Sequence, residues 1–297
     1  MKLSYDIVVV GAGHAGAEAA SAAARLGSRT LLITIDMEKI ASMSCNPAVG
    51  GVAKGQIVRE IDALGGQMAR ITDQSAIQFR MLNRSKGAAM WSPRAQCDKS
   101  EFSRLWRRTL ENTKNLYLWQ DSVTEILLDH TGEKVAVRGV KTRMGVEIEC
   151  RRVVLTAGTF LGGLMHCGTN SAEGGRAGDE ASHGITEQLV SLGFESGRMK
   201  TGTPARLDAR TINFDALEVQ EGDIEPSKFS YDTDTQVVKH QLPCFMVYTS
   251  KAVHDILREG FDRSPLFNGT ISGIGPRYCP SIEDKLRTFA DKEQHQL

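Results

Sequence analysis

Two cysteines stand where a thiol could do chemistry. Cys45 lies in "MSCNPAVGG" (43–51), between Ser44 and Asn46, with small residues and Lys54-Gly55 just beyond. A structural cysteine is usually set in an apolar run, and this one is not. Cys279 lies in "GPRYCPSIEDKLRTF" (275–289), two residues after Arg277. Pro280 and Ser281 open a predicted helix there, and Asp284, three residues after Ser281, makes a near capping box. The helix dipole and the guanidinium both favour thiolate over thiol, which makes Cys279 the better-activated cysteine. The competing reading of each is a small buried filler; for Cys279 that means a capped helix with an incidental cysteine.

The first sixty residues predict the frame that would hold Cys45. "YDIVVV" (5–10) is a β-branched run of the kind buried in a parallel sheet. "GAGHAG" follows at once, with Gly11, Gly13 and Gly16 at the spacing of a dinucleotide turn. The first glycine permits the turn, the second lets backbone approach a pyrophosphate, and the third lets helix and strand pack closely. The small-residue helix that follows presents free N–H groups and a positive dipole end to that phosphate. Gly27 ends the helix and "RTLLIT" (29–34) is the second strand. The acidic residue that should hold a ribose hydroxyl is absent; Thr34 stands there, with Asp36 two residues later. "KGQIVREIDALGG" (54–66) predicts a helix with Ile57, Val58, Ile61 and Leu64 on one face. Cys45 therefore falls in a loop between strand and helix, at the carboxyl edge where a cofactor binds.

Composition excludes several classes. With 297 residues the chain can bury a full core and is expected to form two units. Lys plus Arg number 36 and Asp plus Glu 36, so no global field points to nucleic acid or membrane, although a local patch remains open. Six cysteines without a CxxC pair argue against zinc or a disulfide scaffold and for a reducing cytosol. No apolar run reaches the length of a membrane span, and Asp6 with the glycines from Gly11 argues against a signal peptide.

Further along, 137–160 alternates apolar and polar residues, turns at Met144-Gly145 and ends in "VVLTAGTF". A strand running into Thr156-x-Gly158-Thr159 is typical of flavin proteins with two-dinucleotide folds, and is equally explicable as an ordinary turn. Val123 falls where such folds let a strand backbone meet adenine. "AEGGRAGDEAS" (172–182) reads as a glycine-rich loop, its plain interpretation a flexible connection. From about residue 200 the texture turns to Asp, Thr and Pro with short β-like runs, which predicts an inserted subdomain. The expected divisions are 1–199, a β-rich insert at 200–274, and a return at 275–297. Residues 80–108 carry eight Lys/Arg against Asp98 and Glu101, a net of +6, interleaved with Trp91, Phe102 and Trp106. Basic residues with stacking rings suit looped or single-stranded RNA; a solvated helix face over core tryptophans is the alternative.

Taken together, "GAGHAGAEAA", "MSCNPAVGGVAKGQIVREIDALGG", "QFRMLNRSKGAAMWSPRAQCDK", "GGRAGD", "KTGTPARL" and "GPRYCPSIEDK" resemble the glucose-inhibited division protein A family, the FAD subunit of the tRNA uridine 5-carboxymethylaminomethyl modification enzyme. The resemblance implies a Rossmann-like two-dinucleotide α/β fold with an inserted β-rich subdomain. It implies FAD on Gly11, Ala12, Gly13, His14, Ala15 and Gly16, with further contacts at Val123 and Ser182. It attributes the segment holding Gly275, Pro276, Arg277 and Tyr278 to NADH, and the chemistry to Cys45 and Cys279. Methylenetetrahydrofolate would supply the one-carbon unit. tRNA, a tRNA-modification GTPase and a second copy of the subunit would be the partners, in the cytoplasm and away from membranes. The acidic ribose residue is usually missing from this family, so Thr34 is no departure. Family members run on past "ADKEQHQL" into further flavin-contacting sequence and a helical domain, so the resemblance implies an N-terminal fragment. Two alternatives stay open: a flavin- and folate-dependent tRNA uracil methyltransferase, and an inactive nucleotide-binding module.

Overall fold

The computed structural model describes residues 3–204, 206–273, 275 and 281–296. The chain divides into two units, one of 1–163, 173–194 and 222–242, the other of 164–172, 195–221 and 243–297. The first unit contains, in chain order, β1 (Ser4–Val10), α1 (His14–Arg25), β2 (Thr30–Thr34), β3 (Ala48–Gly50), α2 (Lys54–Ala63), α3 (Met68–Ser75), β4 (Ala76–Leu82), β5 (Ser92–Cys97), α4 (Lys99–Glu111), β6 (Leu116–Gln120), β7 (Val123–Asp129), β8 (Ala136–Thr142), β9 (Glu147–Leu155) and α5 (Ile185–Ser191).

Its main sheet has the order β6-β2-β1-β9-β8-β7. The first four strands are parallel, and β8 and β7 extend the sheet antiparallel. Val10 pairs with Ile33 on one side and Leu155 on the other, so β1, β2 and β9 reach their carboxyl ends together. Successive residues point to opposite faces of a strand. Val9 and Leu32 accordingly enter one core, while Val8, Val10, Leu31 and Ile33 enter the other. A sheet covered on both sides explains the unbroken apolar runs in the sequence.

Helix α1 covers the first core with Ala17, Ala20 and Ala24, all buried, and these short side chains let it lie close to the strands. It ends at Gly27, whose φ of +95° belongs to the left-handed region. Helix α4 begins at Asp98, whose carboxylate accepts from the Ser100 and Glu101 N–H groups at 2.9 Å each. Its Phe102, Trp106 and Leu110, at helical spacing, are wholly buried in the same core. Two of the three rings expected to interleave with the basic residues are thus packing residues; only Trp91 is open to solvent. The apolar face expected on α2 is also narrower than its pattern suggests. Val58 is buried, but Ile57 is half-exposed and Leu64 is 90% exposed, because the helix meets the core at Gly55 and Val58 alone.

A smaller antiparallel sheet, β3-β5-β4, follows the loop that carries Cys45. Residues 222–242, expected in the insert, dock on this sheet and its helices. The edge of β4 is covered by side chains: Gln241 Oε1 accepts from Phe79 N–H at 2.7 Å and Asp223 Oδ2 from Met81 N–H at 2.8 Å. Asp73 on α3 accepts from the Phe229 and Ser230 N–H groups at 2.7 and 2.9 Å. Phe229, wholly buried, meets Phe79 edge to face.

The second unit is sparse in regular structure. It holds the hairpin of β10 (Leu164–Cys167) with all but the last residue of β11 (Asn170–Glu173), the pair β12 (Glu218–Gln220) and β13 (Cys244–Met246), and helices α6 (Lys251–Arg258) and α7 (Ile282–Thr288). Within 200–274 the described strands are only the two three-residue ones, so the β-rich texture read there from sequence is mostly turns. The expected cap is present: Ser281 Oγ accepts from Asp284 N–H at 3.2 Å. Asp284's own carboxylate receives Lys200 Nζ at 3.1 Å.

Candidate dinucleotide site

The turn from β1 into α1 is fixed by one threonine. Thr156, just past β9, donates from Oγ1 towards the Val10 and Gly11 carbonyls at 2.9 and 2.8 Å. Gly11 has φ of +98°, and a Cβ there would lie 2.6 Å from the Thr156 carbonyl oxygen. At Gly16 a Cβ would fall 1.8 Å from the Gly11 oxygen and 2.6 Å from Thr156 Oγ1. Neither position admits a side chain. Gly13 is different: a Cβ there would meet nothing within 4 Å. It caps α1 without any side-chain bond, and Gly13 and Ala15 are exposed. The first turn of a helix carries N–H groups without intrahelical partners and a partial positive charge, which suits an anionic group held against open backbone. Two glycines closed by packing and one open to solvent is the arrangement a pyrophosphate requires.

His14, expected among the cofactor contacts, sits half-buried with its ring turned towards the protein. Its Nε2 lies 3.0 Å from the Ala41 carbonyl oxygen, so this nitrogen must carry the proton. The ring meets Phe102 edge to face at 5.5 Å. Burial lowers its pKa, and the bond to Ala41, acting the other way, offsets only part of that. Ala41 N–H donates in turn to the Ala12 oxygen at 2.8 Å. Ala41 has φ of +49°, unusual for alanine, and is held by both bonds. The segment leading to Cys45 is therefore tied to the glycine turn at two points. Cys45 itself is half-buried in the loop before β3.

The "GGRAGD" stretch is a folded turn. Asp179 N–H donates to the Arg176 oxygen, and Arg176 Nε reaches Asp179 Oδ2 at 2.6 Å. Lys39 binds the same carboxylate, and Arg176 Nη1 lies 3.4 Å from Ser44 Oγ, beside Cys45. Burial alone would raise the Asp179 pKa; the bonds and charges of Lys39 and Arg176 outweigh it and hold the carboxyl below its usual range. Sequence reasoning missed this cluster, although Arg and Asp at i, i+3 in a glycine turn are spaced for such a pair.

Val123 and Ser182 come together. Val123 is buried at the start of β7, and its carbonyl oxygen lies 3.4 Å from Ser182 Oγ, which is also 3.2 Å from Ser122 Oγ. Thr34 and Gln120 close the carboxyl ends of β2 and β6, with Met37 N–H on Gln120 Oε1 at 3.2 Å. Asp36 is occupied as the cap of the 37–39 turn. Of the second set of expected residues, Gly275 belongs to the second unit, where a Cβ would lie 2.9 Å from Lys200 Cε. Pro276, Arg277, Tyr278 and Cys279 lie outside the described residues. Among the described residues no cluster of three or more His, Cys, Asp or Glu side chains could hold a metal, and no helix is long and apolar enough to cross a membrane.

Fold and site define an α/β protein of the Rossmann-like dinucleotide-binding class. The profile of the family described as glucose inhibited division protein A matches residues 6–297, and the chain belongs to that family. It is 61% identical over its full length to the tRNA uridine 5-carboxymethylaminomethyl modification enzyme MnmG of Parabacteroides distasonis, and 58% identical over 99% of its length to that of Flavobacterium johnsoniae. It spans about half of these relatives, 47% and 46% of their lengths. A solved structure of GidA from Aquifex aeolicus, in its form I crystal, matches with a TM-score of 0.91 at 48% identity, over 99% of this chain and 49% of that one.

Proposed function

We propose that the chain is the FAD-binding portion of an enzyme that adds the 5-carboxymethylaminomethyl group to the wobble uridine of certain tRNAs. The observation that carries this reading is the lock of Gly11, Gly16 and Thr156 beside the open backbone of Gly13, in a chain that matches the family across residues 6–297. The family is FAD-dependent. Gly11 to Gly16 would hold the pyrophosphate, and Val123 and Ser182 the adenosine side. Bound there, FAD supplies two-electron redox chemistry for the transferred carbon.

The chain's own contribution is thiol chemistry and positioning. Uracil C5 is a poor nucleophile until a group adds at C6. A thiolate that forms a bond to C6 pushes the C5–C6 electron pair towards C5 and the C4 carbonyl oxygen, so that C5 can attack a one-carbon unit. Loss of the C5 proton and expulsion of the thiolate then restore the ring. Cys45 and Cys279 are the two candidates for that thiolate. NADH at the segment beginning with Gly275, methylenetetrahydrofolate as carbon donor, a GTPase partner, a homodimeric assembly and a cytoplasmic location complete the proposal.

Deleting the gene that encodes this chain should remove 5-carboxymethylaminomethyl uridine from cellular tRNA, read by mass spectrometry of its nucleosides. The purified chain should quench FAD fluorescence in a saturable titration. An unchanged nucleoside profile overturns the tRNA assignment, and loss of a C5-methyl group instead would favour the methyltransferase. Absence of saturable quenching overturns the cofactor assignment.

A further inference from the structure

Trp91 stands apart from the other rings of the basic segment. Phe102 and Trp106 are wholly buried, whereas Trp91 is 45% exposed. It is nevertheless held in place. Its indole Nε1–H donates to the Arg84 carbonyl at 3.2 Å, and its own carbonyl accepts Gln56 Nε2 from the first turn of α2 at 3.0 Å. The same Gln56 nitrogen reaches Ser92 Oγ at 3.0 Å, so α2 and the 84–91 segment form one surface. Arg84 is fixed by Asp223 Oδ2 at 2.9 Å, with much of its side chain still in solvent. Lys86 and Lys54 are exposed on the same two elements, as are the apolar side chains of Met90 and Ile57. At Gly87, between the two anchors of the segment, a Cβ would meet nothing within 4 Å.

We propose that Trp91 is a stacking platform for an unpaired base of single-stranded or looped RNA, with Lys86, Lys54 and Arg84 taking the neighbouring phosphates. An indole locked by its N–H loses little entropy when a base stacks on it, and its open face is indifferent to base identity. The exposed Lys54, Lys86 and Arg84 of these two elements complement a polyanion. This inference deepens the tRNA reading and rests on it, but its test does not depend on FAD.

The probe is a fluorescently labelled oligouridylate of about ten nucleotides, titrated into the full chain beside an RNA duplex of the same length. Trp91→Ala should weaken oligouridylate binding by about tenfold, the ratio for one lost stack. Trp91→Phe should restore most of it, since a smaller ring still stacks. Lys86→Ala should lower the slope of log affinity against log salt by about 0.7, one single-strand phosphate contact. FAD quenching should be the same in all three variants. Binding of the single strand should also quench Trp91 emission, a signal absent from Trp91→Phe. No binding by the wild type, equal affinity in Trp91→Ala, a Phe variant as weak as the Ala variant, or an equal loss on duplex would each overturn the proposal. The FAD titration and the gene deletion judge the broader function separately.

Discussion

The three glycines of "GAGHAG" share a residue type and differ in what they permit. Gly16→Ala places a methyl group on the Gly11 oxygen, where only backbone could yield. It should destabilise the chain by about 1–3 kcal/mol or more and abolish FAD binding. Gly13→Ala has room and an ordinary φ of −70°, so urea unfolding should change little while FAD affinity falls. Equal loss of stability in both variants would refute this division of roles. The cysteines divide by burial. Desolvation pushes the Cys97 thiol up to about 12 and Cys150 up to about 11. Iodoacetamide at neutral pH, followed by peptide mass spectrometry, should therefore label exposed Cys167 and half-buried Cys45 well before either. Rapid labelling of Cys97 would mean that its core opens readily.

At the scale of elements, the unexpected feature is the return of 222–242 to the first unit on carboxylate anchors. Asp73 is the most buried of these. Burial raises its pKa above the ordinary 3.8, and the Phe229 and Ser230 N–H groups offset only part of that. The sign follows from linkage: the folded carboxyl holds its proton to a higher pH than the unfolded one. Folded protein thus binds more protons between those two values, and stability falls as pH rises through that window. Asp73→Asn removes this dependence. It also leaves one backbone N–H without its acceptor, at a cost of about 1–3 kcal/mol. The wild type's advantage over Asp73→Asn should therefore shrink as pH rises from about 3.8 and level off above the folded pKa, measured by urea unfolding across pH. An advantage that grows with pH would show that the N–H bonds outweigh burial.

For the whole molecule, charge balance separates stability from binding. With 36 basic and 36 acidic residues there is no net self-repulsion for salt to relieve, so the urea midpoint should shift little with ionic strength. If the exposed cations of the 84–91 segment and α2 take phosphates, RNA affinity should fall steeply over the same range, because such contacts release counterions. A midpoint as salt-sensitive as RNA binding would mean that the ion pairs of the surface stabilise the fold more than their exposure suggests.

Local patterns in the sequence were enough to specify the β1–α1–β2 unit, the glycine turn, the hairpin at Met144-Gly145 and the Ser281 cap. Each depends on neighbours a few residues apart: β-branched runs, a glycine that must take positive φ, a hydroxyl three residues from a free N–H. The family, too, was legible in motifs spread along the chain. Tertiary structure alone decided which members of a pattern are buried. Leu64 and Val58 carry the same periodic signal and end in opposite environments, and Trp91 and Trp106 in the same basic segment end one in water and one in the core. It also decided the long-range partnerships: Thr156 locking Gly11, His14 holding Ala41, Asp73 capturing Phe229 and Ser230, and Lys39 with Arg176 sharing Asp179. These join residues far apart in the chain, with no periodicity to announce them. A buried polar group must find a partner somewhere, but only the packed chain fixes which one.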